Sequence, residues 1–237
     1  MIKKFALYVF AAPLVFAACQ SKCVEDLGIH TTRDQVVKPY DEIKVSGPIK
    51  LILRQDSSFK LNVAADSSVI DLVKTEVSGH ELSVKLDPSK YCGKDSVMVT
   101  ASIGDLRKIT ASEAVKIYSS SKINLNDITL KLSGATVVNL DLNAGKLTLD
   151  NDGSTNINLI GQSGSYDLNS KGSINLNAFD FVTGIYDIDI EGAGKSRINV
   201  LNELKVKTSG ATEIFYKGNP KKVDEKKTGI AKLEKVN

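Results

Sequence analysis

From about residue 106 onward the chain repeats itself around a glycine. LSGATVVNL, DNDGSTNINL, NSKGSINL, IEGAGKSRINV and KTSGATEIF return in turn, and VDEKKTGIAKLEKV closes the series. The central glycines are Gly134, Gly153, Gly172, Gly192, Gly210 and Gly229, separated by 19, 19, 20, 18 and 19 residues. A period near 20 is too short for a propeller blade or a helical hairpin, and falls in the range of β-solenoids and leucine-rich repeats. The leucine-rich pattern LxxLxLxxN is absent, and no segment spaces apolar residues at i, i+3 and i+4.

Each repeat instead alternates apolar and polar residues on both sides of its glycine. Leu130/Leu132, Leu147/Leu149, Tyr166/Leu168, Ile188/Ile190 and Leu204/Val206 come before the glycines. Val138/Leu140, Ile157/Leu159, Ile174/Leu176, Ile198/Val200 and Ile214/Tyr216 come after them. Period-2 alternation marks half-buried strands. The gaps from glycine to the first later apolar residue are 4, 4, 2, 6 and 4. All are even, so every insertion keeps the inward residues inward; an odd one would turn the next strand over. Short strands stacked rung on rung through parallel ladders, with the usual handedness of parallel crossovers, predict an all-β, right-handed parallel β-helix. The glycine of each rung is expected at a sharp corner that needs positive φ. Asn124, Asn139, Asn158, Asn175 and Asn199 each follow an inward residue, so a polar ladder on the outside is expected.

Residues 41–105 have the same character with less regularity. YDEIKVSGPIKLILRQ and TEVSGHELSVKLD set Gly47 and Gly79 between alternating runs, and VMVTASI adds a strand. This reads as irregular first rungs of the same coil, with hairpin excursions at 54–72 and 87–96. A separate small β-domain is the alternative.

Ahead of the domain stands a targeting segment. Lys3 and Lys4 precede an apolar run at residues 5–18 that is too short, and too broken by Pro13, to read as a membrane span. FAAC then resembles a bacterial lipoprotein lipobox, with Phe16 where that pattern usually has leucine. The expectation is a signal peptide over 1–18, lipid attachment at Cys19, and a polar tether over 19–40 that holds the domain to a membrane of the cell envelope, most simply the outer one. An ordinary secretory signal is the alternative. Removing residues 1–18 takes away two lysines and no acids, so the formal charge of +3 falls to 29 − 28 = +1. A near-neutral mature chain carries no electrostatic footprint for nucleic acid. Cys23 and Cys92 are then the remaining cysteines; export permits a disulfide between them, and the count alone leaves it open.

VSGPIKLIL, the returning SGA, DGS and KGS corners, and the closing SGATEIFYKGNP together resemble the head GIN domain family of bacterial autotransporter adhesins. Ser209, Gly210, Tyr216, Gly218 and Pro220 carry the most specific part, followed by Thr228 and Gly229. The resemblance covers roughly residues 40–237. It implies a right-handed β-helix in an exported or lipid-anchored protein of Bacteroidetes-like bacteria, with an adhesin-like role and no active site to carry over.

Chemistry for catalysis is scarce. Only two histidines exist, His30 in the tether and His80 in a turn, so a nucleophilic triad has little to draw on. Gly192-Ala-Gly194 opens no helix and is no dinucleotide fingerprint. Asp150, Asp152, Asp167, Asp187, Asp189 and Glu191 project outward on alternation and could lie on adjacent rungs. They read first as a solvated face, and otherwise as a weak cation or glycan contact or an acid/base pair of a lyase or hydrolase. The lysines of the last segment, including Lys221, Lys222, Lys226 and Lys227, read as charges that block end-to-end pairing of an exposed edge. No catalytic, metal or cofactor-binding residue is assigned. The expected role is a non-enzymatic adhesin-like module for a glycan or protein ligand. The alternatives are a polysaccharide lyase or hydrolase, or a periplasmic structural or signalling lipoprotein.

Overall fold

The computed structural model describes residues 23–94 and 97–237; the leader and Cys19 lie outside them. From residue 123 the chain is six strands in parallel, each stacked on the one before. They are β10 (Ile123–Leu132), β11 (Ala135–Asn151), β12 (Ser154–Ser170), β13 (Ser173–Ile190), β14 (Ala193–Lys217) and β15 (Lys222–Lys235). The register equals the repeat: Val138 lies opposite Ile157 and Leu140 opposite Leu159. The expected β-solenoid therefore forms, with like residues above like. Val138, Ile157, Leu147, Leu149, Tyr166 and Leu168 are among the buried inward residues. Each such side chain contributes about 1.5–3 kcal/mol by leaving water.

The corner glycines have a different reason from the one expected. Of the six, only Gly134 (φ +76°) and Gly229 (φ +92°) adopt positive φ. At Gly153, Gly172, Gly192 and Gly210 the constraint is the turn beneath. A Cβ on Gly172 would stand 2.0 Å from the carbonyl oxygen of Gly153, and one on Gly192 2.0 Å from that of Gly172. The backbone folds so tightly at this edge that successive corners touch main chain to main chain. A second glycine column, Gly145, Gly164 and Gly184, bends the long strands at the opposite edge. There a Cβ on Gly164 or Gly184 would meet the preceding glycine's carbonyl at 2.8 or 2.5 Å.

One buried amide organises the Gly153 corner from inside. Asn151 follows Leu147 and Leu149 in phase, so it points inward and is 2% exposed. Its Oδ1 accepts from the Thr155 hydroxyl at 2.6 Å and from the Gly153 amide at 3.1 Å, while its Nδ2 donates to the Ser170 hydroxyl at 2.9 Å. Every polar atom is thereby satisfied in a place where an orphan would be expensive.

The N-terminal half belongs to the same sheet, in an order that differs from the chain order. Rungs are formed by β2 (Glu42–Ser46) with β3 (Ile49–Gln55), by β6 (Glu81–Lys85) with β7 (Val97–Ile103), and by β8 (Lys108–Ser112) with β9 (Lys116–Ser119). The first of these is sandwiched between the other two: β2 pairs β6 on one side and β8 on the other, and β3 pairs β7 and β9. Residues 74–85 make a true hairpin, with β5 (Lys74–Ser78) antiparallel to β6 and Gly79-His80 at its tip. The excursion after β3 is no hairpin. Its strand β4 (Lys60–Asp66) runs antiparallel to β7 and extends the sheet beyond it. Tyr40 and Phe59 meet there edge to face at 5.5 Å.

Part of the segment expected as a tether over 19–40 is strand instead. Residues His30–Val36 form β1, antiparallel to β4 with Thr32 opposite Ala64. The segment lacks an apolar face, yet it satisfies the open edge of β4 and locks to the cap: the Arg33 guanidinium donates to the Ile70 and Val73 carbonyls at 3.2 and 2.8 Å. Upstream, Cys23 is joined to Cys92 with Cα atoms 5.6 Å apart, beside a parallel bridge of Val24 to Tyr91.

Three Asp-x-Ser turns shape this cap. In each, at Asp56/Ser58, Asp66/Ser68 and Asp87/Ser89, the Asp Oδ1 accepts the serine amide at 2.9 Å and its hydroxyl at 2.6–2.7 Å. The buried Asp66 carboxylate also accepts the Leu27 and Ile29 amides, which pins the segment before β1. The serine hydroxyl, then its amide, hold all three carboxyls below the usual carboxylate range. A depressed folded-state pKa stabilises the fold above the unfolded value, about pH 4, and is lost as pH falls through the lower folded value. Melting temperature is thus expected to hold level from pH 7 to about 4 and then decline, and to decline less in Asp66→Asn, whose starting value is already reduced. Parallel acid profiles for the two proteins would contradict this.

At the far end β15 pairs only β14 among the described residues. Its inward positions change character: Glu225 stands over Val206 and Lys227 over Thr208. These two pair with each other, as do Lys222 with Asp224 and Lys232 with Glu234. Inward-pointing charges stop a sheet from adding another strand.

Candidate binding face

The solenoid has two long outward surfaces. One, carried by residues such as 146–151 and 165–170, holds the acids. Asp167 and Asp187 are direct neighbours in register, as are Asn169 and Asp189. Lysines interleave with them: Lys146 lies 2.6 Å from Asp167, Lys207 2.7 Å from Asp189 and Lys205 3.8 Å from Asp187. Asn169 donates to Asp150 at 3.2 Å, while Asp152 and Glu191 stand exposed at corners. The Asp167 and Asp189 contacts raise the pKa of Lys146 and Lys207 respectively. An open groove of about 400 Å³ lies over Lys131, Asp150, Asp152 and Lys171. Among the described residues, no group of three or more His, Cys, Asp or Glu side chains could hold a metal ion. The surface is a mosaic of neutralised charge.

The other surface is built of amides. The outward asparagines do not form one ladder but fall into three columns. Tyr118, Asn139, Asn158, Asn177 and Arg197 follow one another in register. Asn156, Asn175 and Lys195 make a second column, and Asn124, Asn143 and Gln162 a third. Adjacent amides bond along the columns: Asn177 to Asn158 at 2.9 Å, Asn143 to Asn124 at 2.8 Å and Asn175 to Asn156 at 3.3 Å. These bonds fix the amide orientations and leave the remaining donors and acceptors facing out in a regular array.

Toward β15 the amide columns give way to cations and rings. Phe179, Lys195, Arg197, Phe215 and Lys217 line an open groove of about 390 Å³. Phe179 follows the inward Ala178 and faces out at a bulge: the 20-residue repeat carries one extra residue against β12 between Asn177 and Asp180, residues 179–181 have no partner in β14, and Phe181 takes the next inward place. Sequence alternation missed this group. The one advance sign was the single 20-residue interval between Gly172 and Gly192. His30 and His80, by contrast, are both exposed, His30 at the start of β1 and His80 at the tip of the β5–β6 hairpin.

A family model described as "Putative auto-transporter adhesin, head GIN domain" matches residues 39–220. The chain belongs to that family. The head GIN match stops just before β15, so the charged last rung lies beyond it. Among curated proteins none matches significantly. Solved structures share the fold. A Bacteroides fragilis protein described as a putative adhesin is 18% identical, with a TM-score of 0.81 over 90% of this chain and 100% of its own. A Parabacteroides merdae protein with the same description is 21% identical, with a TM-score of 0.67 over 90% of this chain and 99% of its own. A Parabacteroides distasonis protein described as a putative lipid binding protein is also 21% identical, with a TM-score of 0.68 over 91% of this chain and 100% of its own. The family match supports an adhesin-like role at the cell envelope or surface, and the solved structures share the fold.

Proposed function

We propose that this head GIN protein is a lipid-anchored module of the outer membrane that binds a glycan through its amide face and catalyses nothing. The observation that carries the reading is the set of three in-register Asn columns, whose amide groups repeat at the rung spacing of about 4.8 Å. Sugar hydroxyls both donate and accept, and a fixed array of amides offers both along one line. The outward carboxylates favour binding over turnover. Asp167, Asp187 and Asp189 each lie against a lysine, whereas a glycosidase or lyase keeps two carboxylates free to face one bond. In this reading Cys19 carries the lipid and the short segment between Cys19 and the disulfide is the tether.

Two measurements test it. A glycan array probed with the purified protein is expected to give binding without release of shortened products; turnover of any bound glycan would place the protein among the enzymes. Labelling with radioactive palmitate in the producing cell is expected for the wild type and absent in Cys19→Ala. Equal labelling of the two would remove the lipid anchor.

A further inference from the structure

Arg197 and Lys217 differ from most of the cations near them. Lys195 is paired with Glu213 at 3.0 Å and Lys232 with Glu234, but Arg197 and Lys217 have no carboxylate within ion-pair distance among the described residues. Rings hold the ammonium groups in place. Lys217 Nζ lies 4.7 Å from the Phe179 ring centre, and Lys195 Nζ 5.2 Å from that of Phe215. Such contacts fix long side chains that would otherwise lose rotamer freedom when they bind an anion. The bulge that extrudes Phe179 therefore supplies the ring on which Lys217 rests, and bulges are a common device for re-aiming a side chain at a site. Gly218 makes the geometry possible: it has φ +97°, and a Cβ there would stand 1.9 Å from the Val200 carbonyl oxygen.

From this we infer that the groove between Arg197 and Lys217 is an acid-recognition subsite for an anionic polysaccharide. The inference rests on the glycan reading of the amide face and narrows it. Arg197 continues the column of Asn158 and Asn177, so a chain lying along that column would set its hydroxyls on the amides and its carboxylate or sulfate groups on the guanidinium and ammonium. A planar guanidinium suits either acid by paired hydrogen bonds. A flat anionic membrane fits less well, because Glu213 and Glu234 border the same rungs and Asp180 stands exposed beside Phe179.

Titration calorimetry of the purified protein tests this with oligogalacturonate, dextran sulfate and neutral dextran, and with vesicles of phosphatidylglycerol and phosphatidylcholine. One or both acidic glycans are expected to bind, more weakly as salt is raised. The doubly substituted Arg197→Gln/Lys217→Gln protein is expected to lose at least about tenfold in affinity, the equivalent of one charge-assisted contact, with an unchanged melting temperature. Phe179→Ala should weaken binding less, and Lys131→Gln/Lys171→Gln, on the opposite surface, not at all. Preference for oligogalacturonate or for dextran sulfate identifies the acid as carboxylate or sulfate. Acidic glycan bound equally by the doubly substituted protein would overturn this subsite and leave the amide face standing. Neutral dextran bound as tightly as the acidic glycans would overturn the preference for acid alone. Binding to vesicles only would overturn the inference in favour of a membrane surface. Binding to none of the probes would overturn it too, while the array separately decides the broader glycan reading.

Discussion

Gly172→Val is expected to destabilise the solenoid by about 3 kcal/mol or more, at the upper end of what overpacking does. For a domain of this size that lowers the melting temperature by roughly 6–12 °C. The cause is local and has no soft partner. The added Cβ would stand 2.0 Å from the Gly153 carbonyl oxygen, and that oxygen accepts the Ser173 amide at 2.8 Å. Relieving the clash requires the two rungs to separate, which breaks this bond. Lys171→Val one residue away, where the side chain is exposed, is expected to shift melting by no more than about 2 °C. Calorimetric melting of both proteins decides it: equal melting points would mean that the corner can open without loss, and that the glycine column is incidental.

The second large effect is expected inside. Tyr166, Phe181 and Tyr186 are fully buried and stack across rungs, with Tyr166 and Tyr186 ring centres 5.1 Å apart and Phe181 at 6.3 Å from Tyr166, edge on. Tyr166→Ala removes the central member and is expected to cost about 3–5 kcal/mol, as large aromatic truncations do. Tyr166→Phe should behave oppositely. The Tyr166 hydroxyl has no hydrogen-bond partner among the described residues, so its removal is expected to be neutral or stabilising. Burial, and then the neighbouring Tyr186, push the Tyr166 pKa well above its ordinary value of 10. Denaturant titration of the pair gives the answer. A Phe variant that is as unstable as the Ala variant would mean that the hydroxyl, not the ring, holds this part of the core.

The repeat was legible because one physical event recurs every turn. Wherever the backbone must pass within contact of the turn below, only glycine fits, and the spacing of Gly134 to Gly229 records the circumference of the coil. The reason was not legible: a glycine forced by positive φ and one forced by a neighbouring carbonyl look alike in a sequence. Gly145, Gly164 and Gly184 keep nearly the same period, but they sit inside continuous strands, and the residues flanking them follow no common motif to draw notice. The strand at 30–36 was hidden because HTTRDQV has no apolar face; its partner β4 and the cap hydrogen bonds make it a strand. The order of the first three rungs could not be read at all. Each alternates correctly, and alternation says which face a residue takes without saying which strand lies beside it. At the binding face the asparagines were foreseen as outward, whereas Phe179 depends on where a single extra residue is extruded, and the packing of Phe181 decides that.

The sandwiched rung has a consequence for how the molecule assembles. In a simple coil each new turn docks on a finished one, and contacts stay close to one repeat length. Here residues 42–55 have an unfilled side until residues 108–119 arrive, so the first part of the domain closes through contacts more than sixty residues apart. Such long-range closure is slow. After it, the later turns add with contacts about nineteen residues apart, like a zip running from a knot. The slow step of folding is thereby assigned to the N-terminal third of the domain, and the amide face can be completed only after it.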